Sequence, residues 1–270
     1  MVELSLNEIQ KIELNMLCWF HKICEEHNWR YSLGGGTLLG AIRHKGFIPW
    51  DDDVDVMMPR PDYDLFSEYC TNNNIPFIFL SYKTVKEYDG LFAKIWDPGT
   101  IIIEETSSRK YDLGVYIDIF PIDGLGNSEK EAIKIYNKTE LKRELLVASS
   151  WKKYFRSKTH GIMIEPIRLG MFIFSRLINK RKLIKEIDFI NLSYSFEECS
   201  YAGCVCGSYR KQEIMPKSTF DNYIYVTFEG ELLKAIKYYH EYLEKHYGNY
   251  MQLPPESKQV THHSYKAFRK

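Results

Sequence analysis

The sequence predicts an α+β fold: a mixed sheet core with flanking helices over residues 1–125, then a mainly helical part over 126–270 that completes the same unit. Three observations carry this. Short runs rich in β-branched and aromatic residues alternate with helix-spaced stretches up to Phe120, Gly124 and Gly126 end that alternation, and from Ser128 onward the pattern is mainly helical. The elements follow in order. Ser5-Leu6-Asn7-Glu8 has the form of a capping box, and Ile9, Ile12, Met16, Leu17, Phe20 and Ile23 behind it form one apolar stripe. Tyr31-Ser32-Leu33 reads as a short strand, Gly34-Gly35-Gly36 as a tight turn, and Thr37 to Arg43 as a helix. A strand through Asp53-Val54-Asp55-Val56 follows, and Pro59 and Pro61 then open a helix running to about Tyr69. Further strands are expected at Phe77–Ser81, Leu91–Trp96, Ile101–Glu104 and Val115–Phe120, and a last helix near Gly230–Tyr247.

Composition fits one compact enzyme-sized unit. A chain of 270 residues with 44% hydrophobic content can bury a substantial core. Thirty-six basic residues balance thirty-six acidic ones, and no nucleic-acid-binding motif is present, so a nucleic-acid partner is not expected. No basic stretch precedes an apolar N-terminal run and no segment reaches 18 uninterrupted apolar residues, which predicts a cytoplasmic location. Cys18, Cys24, Cys70, Cys199, Cys204 and Cys206 lack paired C-x₂-C spacing and read as reduced, mostly buried thiols rather than a zinc site.

Chemistry concentrates between Gly34 and Val56. On an extended strand Asp53 and Asp55 point to one face while Val54 and Val56 point into the core. Two hard oxygen donors side by side suit Mg²⁺ that also keeps waters and substrate phosphates. Upstream, a glycine turn feeding a helix N-terminus exposes backbone N–H groups to phosphate. Asp51, Asp52, Asp53 and Asp55 would repel one another unless a cation compensates them. Together these features describe a metal-dependent nucleotide site.

The same residues resemble the signature of LicD-type phosphotransferases, which belong to the nucleotidyltransferase-fold superfamily. The likeness runs from Gly35-Gly36-Thr37 through Arg43-His44-Lys45-Gly46 and Pro49-Trp50-Asp51-Asp52-Asp53-Val54-Asp55-Val56 to Pro59-Arg60-Pro61-Asp62-Tyr63. It continues at Lys94-Ile95-Trp96-Asp97 and Asp118-Ile119-Phe120-Pro121-Ile122-Asp123, and returns in Tyr247-Gly248-Asn249-Tyr250, Leu253-Pro254-Pro255 and His262-His263. The first motif is long and specific; the later ones are short, and residues 126–200 match weakly. The resemblance implies a nucleotidyltransferase-like core and transfer of a phospho-alcohol, often phosphocholine, from CDP-choline or a related CDP-alcohol to a hydroxyl of a glycan or teichoic acid precursor, with CMP released.

That resemblance also implies roles. Asp53, Asp55 and a third carboxylate would hold Mg²⁺ (or Mn²⁺). Asp118 is the candidate, because an isolated charge in the apolar run Val115–Phe120 is costly without a partner. Whether Asp118 is a metal ligand or takes the acceptor proton stays open, and Asp123, beside Gly124, reads as turn chemistry. Backbone amides at Gly35, Gly36 and Thr37 are candidate phosphate cradles, and Arg43, His44, Lys45 and Lys94 candidate phosphate or leaving-group contacts. His262 and His263 are expected to reach back to the site, and Trp50, Trp96 and Tyr116 are candidates for a choline pocket.

Residues 150–185 carry a second signal. Ten basic residues stand there against Glu165 alone, interleaved with Ile162, Met163, Ile164, Ile167, Phe172, Ile173, Phe174 and Leu177. That mixture suits a helix on an anionic membrane surface, which a lipid-linked glycan acceptor would make sensible. The alternatives to the phosphotransferase reading are a true nucleotidyltransferase, releasing pyrophosphate from a nucleoside triphosphate, and a non-catalytic nucleotide- or glycan-binding accessory protein.

Overall fold

The computed structural model describes residues 1–104, 106–156, 161–261 and 265–270. A short β1 (Val2–Glu3) leads into α1 (Leu6–Glu26), whose N-terminus is closed by the reciprocal Ser5–Glu8 capping box. Its buried stripe of Ile9, Met16, Leu17, Phe20 and Ile23 packs on the sheet, and Phe20 meets Tyr31 and Phe66 edge-on at 5.0 Å each. Burying one such phenyl side chain is worth about 2–3 kcal/mol. Next come β2 (Ser32–Leu33), α2 (Gly35–Arg43), β3 (Asp55–Pro59) and α3 (Arg60–Asn72). They are followed by β4 (Ile78–Leu80), β5 (Ala93–Trp96), β6 (Thr100–Ile103) and β7 (Tyr116–Gly124).

The central sheet runs β2-β3-β7-β5-β4. The β3–β7 pair is parallel and its neighbours are antiparallel, so the core is the mixed sheet expected of an α+β chain. Each expected strand exists, with shifted ends. The largest extension is β7, which runs past Phe120 through Pro121 to Gly124. Its ladder with β5 ends at Ile119, so Pro121 forfeits no hydrogen bond to that neighbour.

The C-terminal half supplies α4 (Glu129–Ser150), α5 (Glu165–Ser175) and α6 (Lys180–Asn191), with α5 and α6 both packed on α4. It also returns to the core in strands. The elements β8 (Tyr201–Gly203) and β9 (Met215–Pro216) extend the far end of β7. A hairpin of β10 (Tyr223–Phe228) and β11 (Glu231–Ile236) precedes α7 (Tyr239–Tyr247). The expected helix over Gly230–Tyr247 is thus half strand. Glu229 and Gly230 both have left-handed backbone, φ 50° and 86°, the turn that joins twisted antiparallel strands, and the flanking Tyr-Ile-Tyr-Val-Thr-Phe run favours a pleated surface. Finally β12 (Lys266–Arg269) inserts between β1 and β6.

Candidate functional site

The site forms where the N-terminus of α2 meets the strand pair β3–β7. The alternation expected at the acidic motif holds: Val54 and Val56 are fully buried, while Asp53 and Asp55 face a common cavity. Regular pairing starts at Asp55, but the Asp118 N–H donates to Val54 O at 2.8 Å, so the ladder reaches back between the two aspartates. Register then sets Asp118 beside Asp55 on β3 and beside Lys94 on β5. The Lys94 ammonium pairs with the Asp118 carboxylate and lies 3.7 Å from the centroid of the Tyr116 ring.

The glycines are required by proximity. A Cβ on Gly35 would lie 2.7 Å from Asp55 Oδ2, and one on Gly36 2.8 Å from Asp51 Oδ2; Gly35 also has φ +46°. The helix end can therefore sit directly against the carboxylates. Thr37 is buried, and its Oγ1 accepts the Asp55 N–H at 2.8 Å, tying helix and acidic strand together. Tyr242 from α7 stands against the backbone amide of Gly35.

Carboxylates crowd this junction. One oxygen from each of Asp51, Asp52 and Asp53 lies within 4.8 Å of the others. Burial, then the charges of Asp53, Asp118 and Asp51, push the Asp55 carboxyl well above its ordinary range. Glu13 of α1 lies beneath, buried, with Oε2 lacking a hydrogen-bond partner among the described residues; burial and then Asp53, Asp52, Asp51 and Asp118 raise its carboxyl strongly. Hard oxygen donors in mutual repulsion fit a divalent cation, which would remove the cost of assembling them.

A cavity of about 780 Å³ opens over this cluster, a volume typical of sites for nucleotide-sized ligands. Gly35, Gly36, Arg43, Asp51, Asp53 and Asp55 line one side. Ser208, Tyr209, Tyr247, Tyr250 and the Asn249–Lys258 segment close the other. Arg43 holds that segment, its Nη1 donating to Tyr250 O at 2.9 Å and Gln252 O at 3.4 Å.

The other candidates separate. His44 accepts from Arg43 Nε at 2.9 Å and, like exposed Lys45, does not line the cavity. Lys94 opens instead onto a neighbouring hollow of about 260 Å³ with Arg109, Tyr111 and Tyr116. Of the three aromatic candidates, Trp50 lines the main cavity, whereas Trp96 and Tyr116 are buried away from it. His262 and His263 lie outside the described residues. Asp123 is not a turn residue: it is fully buried in β7 and accepts from Arg60 Nε at 2.6 Å. Cys204 and Cys206 have their sulfurs 3.4 Å apart, and all six cysteines are free thiols.

Sequence reasoning missed Glu13 and Tyr209. Glu13 could have been found as a lone carboxylate at a core-facing position of α1; Tyr209 had no signal, because only tertiary folding brings its loop to the cavity.

Comparison with known proteins places these observations. Residues 28–146 match the nucleotidyltransferase-domain model described as LicD/FKTN/FKRP. The chain is 36% identical over 273 positions to the lipopolysaccharide cholinephosphotransferase LicD of Haemophilus influenzae, covering 99% of each. It is also 45% identical to an uncharacterized protein of Rickettsia typhi over 184 residues, 61% of this chain and 52% of that one. With a likeness that runs end to end and a family domain that takes in the glycine–aspartate junction, the chain belongs to the LicD family of phosphotransferases.

Proposed function

We propose that the protein transfers phosphocholine from CDP-choline to a hydroxyl of a cell-surface glycan, either lipopolysaccharide or a teichoic acid precursor, releasing CMP. The observation that carries this reading is the apposition of the α2 N-terminus to Asp51 and Asp55 within one nucleotide-sized cavity. The end-to-end likeness to a lipopolysaccharide cholinephosphotransferase supports the choice of transferred group.

Asp53 and Asp55, with Asp118 beside them, would hold Mg²⁺ (or Mn²⁺), which when bound neutralises charge on the diphosphate of the donor. The chain's own residues do the rest. The amides of Gly36 and Thr37 in the first turn of α2 would meet phosphate oxygens, with the Gly35 amide against Tyr242, and the helix dipole favours that negative charge. Arg43 fixes the segment that covers the cavity, which excludes water from the donor. The acceptor hydroxyl attacks the distal phosphorus in line; a new O–P bond forms, the bond to the CMP oxygen breaks, and the hydroxyl proton passes to a carboxylate, a role open to Asp118 as the alternative to ligating the metal.

The test is product analysis after incubation with CDP-choline and a glycan extract from the source organism. CMP release with choline incorporated into glycan supports the reading. Pyrophosphate release from a nucleoside triphosphate would replace it with nucleotidyl transfer.

A further inference from the structure

Helix α5 packs the wrong way for a core helix. Of its eleven residues only Ser175 is buried. Ile167, Gly170 and Phe174 follow the i, i+3, i+7 spacing of one face of α5, with Met163 in the 3₁₀ turn just before it and Leu177 just past its end, and these positions lie open to solvent: Met163 is 91% exposed, Ile167 63%, Phe174 55% and Leu177 80%. A Cβ on Gly170 would meet no atom of the described residues within 4 Å, so the face is open there. A patch of this kind on a folded protein marks an interaction surface.

Charge identifies what covers it. Lys152, Lys153 and Arg156 lie exposed before this segment, and Lys182 and Lys185 lie exposed after it on α6. Arg181, Lys182 and Lys185 share a shallow hollow of about 480 Å³, and Phe189, 78% exposed, also lines it. A second protein copy would bring these cations against themselves, whereas a phospholipid surface offers anionic headgroups to the cations and acyl chains to the apolar face. No described helix is long and apolar enough to cross a membrane, so the contact is lateral. We propose that α5 and the start of α6 form an interfacial anchor that seats the protein on an anionic bilayer. This goes beyond the phosphotransferase reading and does not depend on it.

The test is co-sedimentation of the full chain with vesicles of phosphatidylcholine alone or mixed with phosphatidylglycerol, at low and high salt. Binding to the mixed vesicles at low salt is expected, with loss in the Met163→Asp/Ile167→Asp variant. Lys182→Glu/Lys185→Glu should weaken partitioning on the order of tenfold or more, since each cation near such a surface is worth roughly fivefold. These side chains are exposed, so both variants should keep the wild-type melting temperature. Failure to sediment, or equal binding to both vesicle types unaffected by either variant, would overturn the proposal. So would a concentration-dependent dimer, abolished by Met163→Asp/Ile167→Asp, in a protein that ignores vesicles. Turnover on a soluble acceptor reports separately on the catalytic assignment.

Discussion

Gly35 stands against Asp55 so closely that a single methyl group would fall 2.7 Å from the carboxylate oxygen, on a backbone already at φ +46°. The N-terminus of α2 and the acidic strand β3 are thus one device. Gly35→Ala should cost about 1–2 kcal/mol in stability from the left-handed backbone. It should also turn the Asp55 carboxylate away, and so lose more in turnover than in melting temperature. Denaturant midpoints and initial rates measured on the same preparation check this; a variant with wild-type rates would separate the glycine from the site.

Asp53→Asn and Asp55→Asn should each lower turnover by a factor on the order of 10²–10³ if the carboxylates hold the metal. Asp55→Asn should also raise the melting temperature of the metal-free protein, because Asp55 is a carboxylate short of water among like charges. Melting curves with and without added Mg²⁺ decide it: Mg²⁺ should stabilise the wild type and leave the variant nearly unmoved.

Glu13 gives the pH dependence. Its carboxyl in the folded chain titrates well above the unfolded value of about 4.3. The folded state therefore binds that proton more tightly, and this contribution is present at low pH and lost as pH rises through the raised folded value. Metal-free wild type should lose stability over that range, and Glu13→Gln should flatten the profile. A variant whose urea midpoints fall with pH as steeply as wild type would remove Glu13 from the electrostatic account.

The buried pair Arg60–Asp123 sits at the other end of β7 from the acidic junction, and its role is to hold α3 on the sheet. Asp123→Asn should destabilise the fold by about 3–5 kcal/mol, since it leaves a buried guanidinium with the more distant Asp188 at 3.5 Å and Asp64 at 4.0 Å. Asp118→Asn should remove activity at a smaller cost in stability, since the ammonium of Lys94 that it strands opens onto a hollow of about 260 Å³. The contrast between two aspartates on one strand, read by melting temperature against rate, tests the division of labour.

What could be read in the sequence was what local chemistry determines. The Ser5–Glu8 box, the Val54/Val56 alternation and the glycines at the start of α2, which the helix takes in from Gly35 rather than starting at Thr37, depend on neighbours within a few positions. Lys94 and Asp118 were both singled out, but not as a pair, because their meeting depends on the register of β5 against β7. The β10–β11 hairpin was missed because Glu231-Leu232-Leu233-Lys234-Ala235-Ile236 has the composition of a helix, and the left-handed turn at Glu229-Gly230 overrides it. Asp123 looked like turn chemistry because Gly124 follows it, whereas Arg60, sixty-three residues away, decides its place in the core.

The central claim is a metal-dependent site for a CDP-linked donor, and calorimetric titration of CDP-choline into the purified protein, with and without Mg²⁺, tests it most directly. The account expects metal-dependent binding of CDP-choline, stronger than that of CTP or CDP-ribitol, and its loss in Asp53→Asn. Tighter binding of CTP, or CDP-choline binding that ignores both the metal and Asp53, would contradict it.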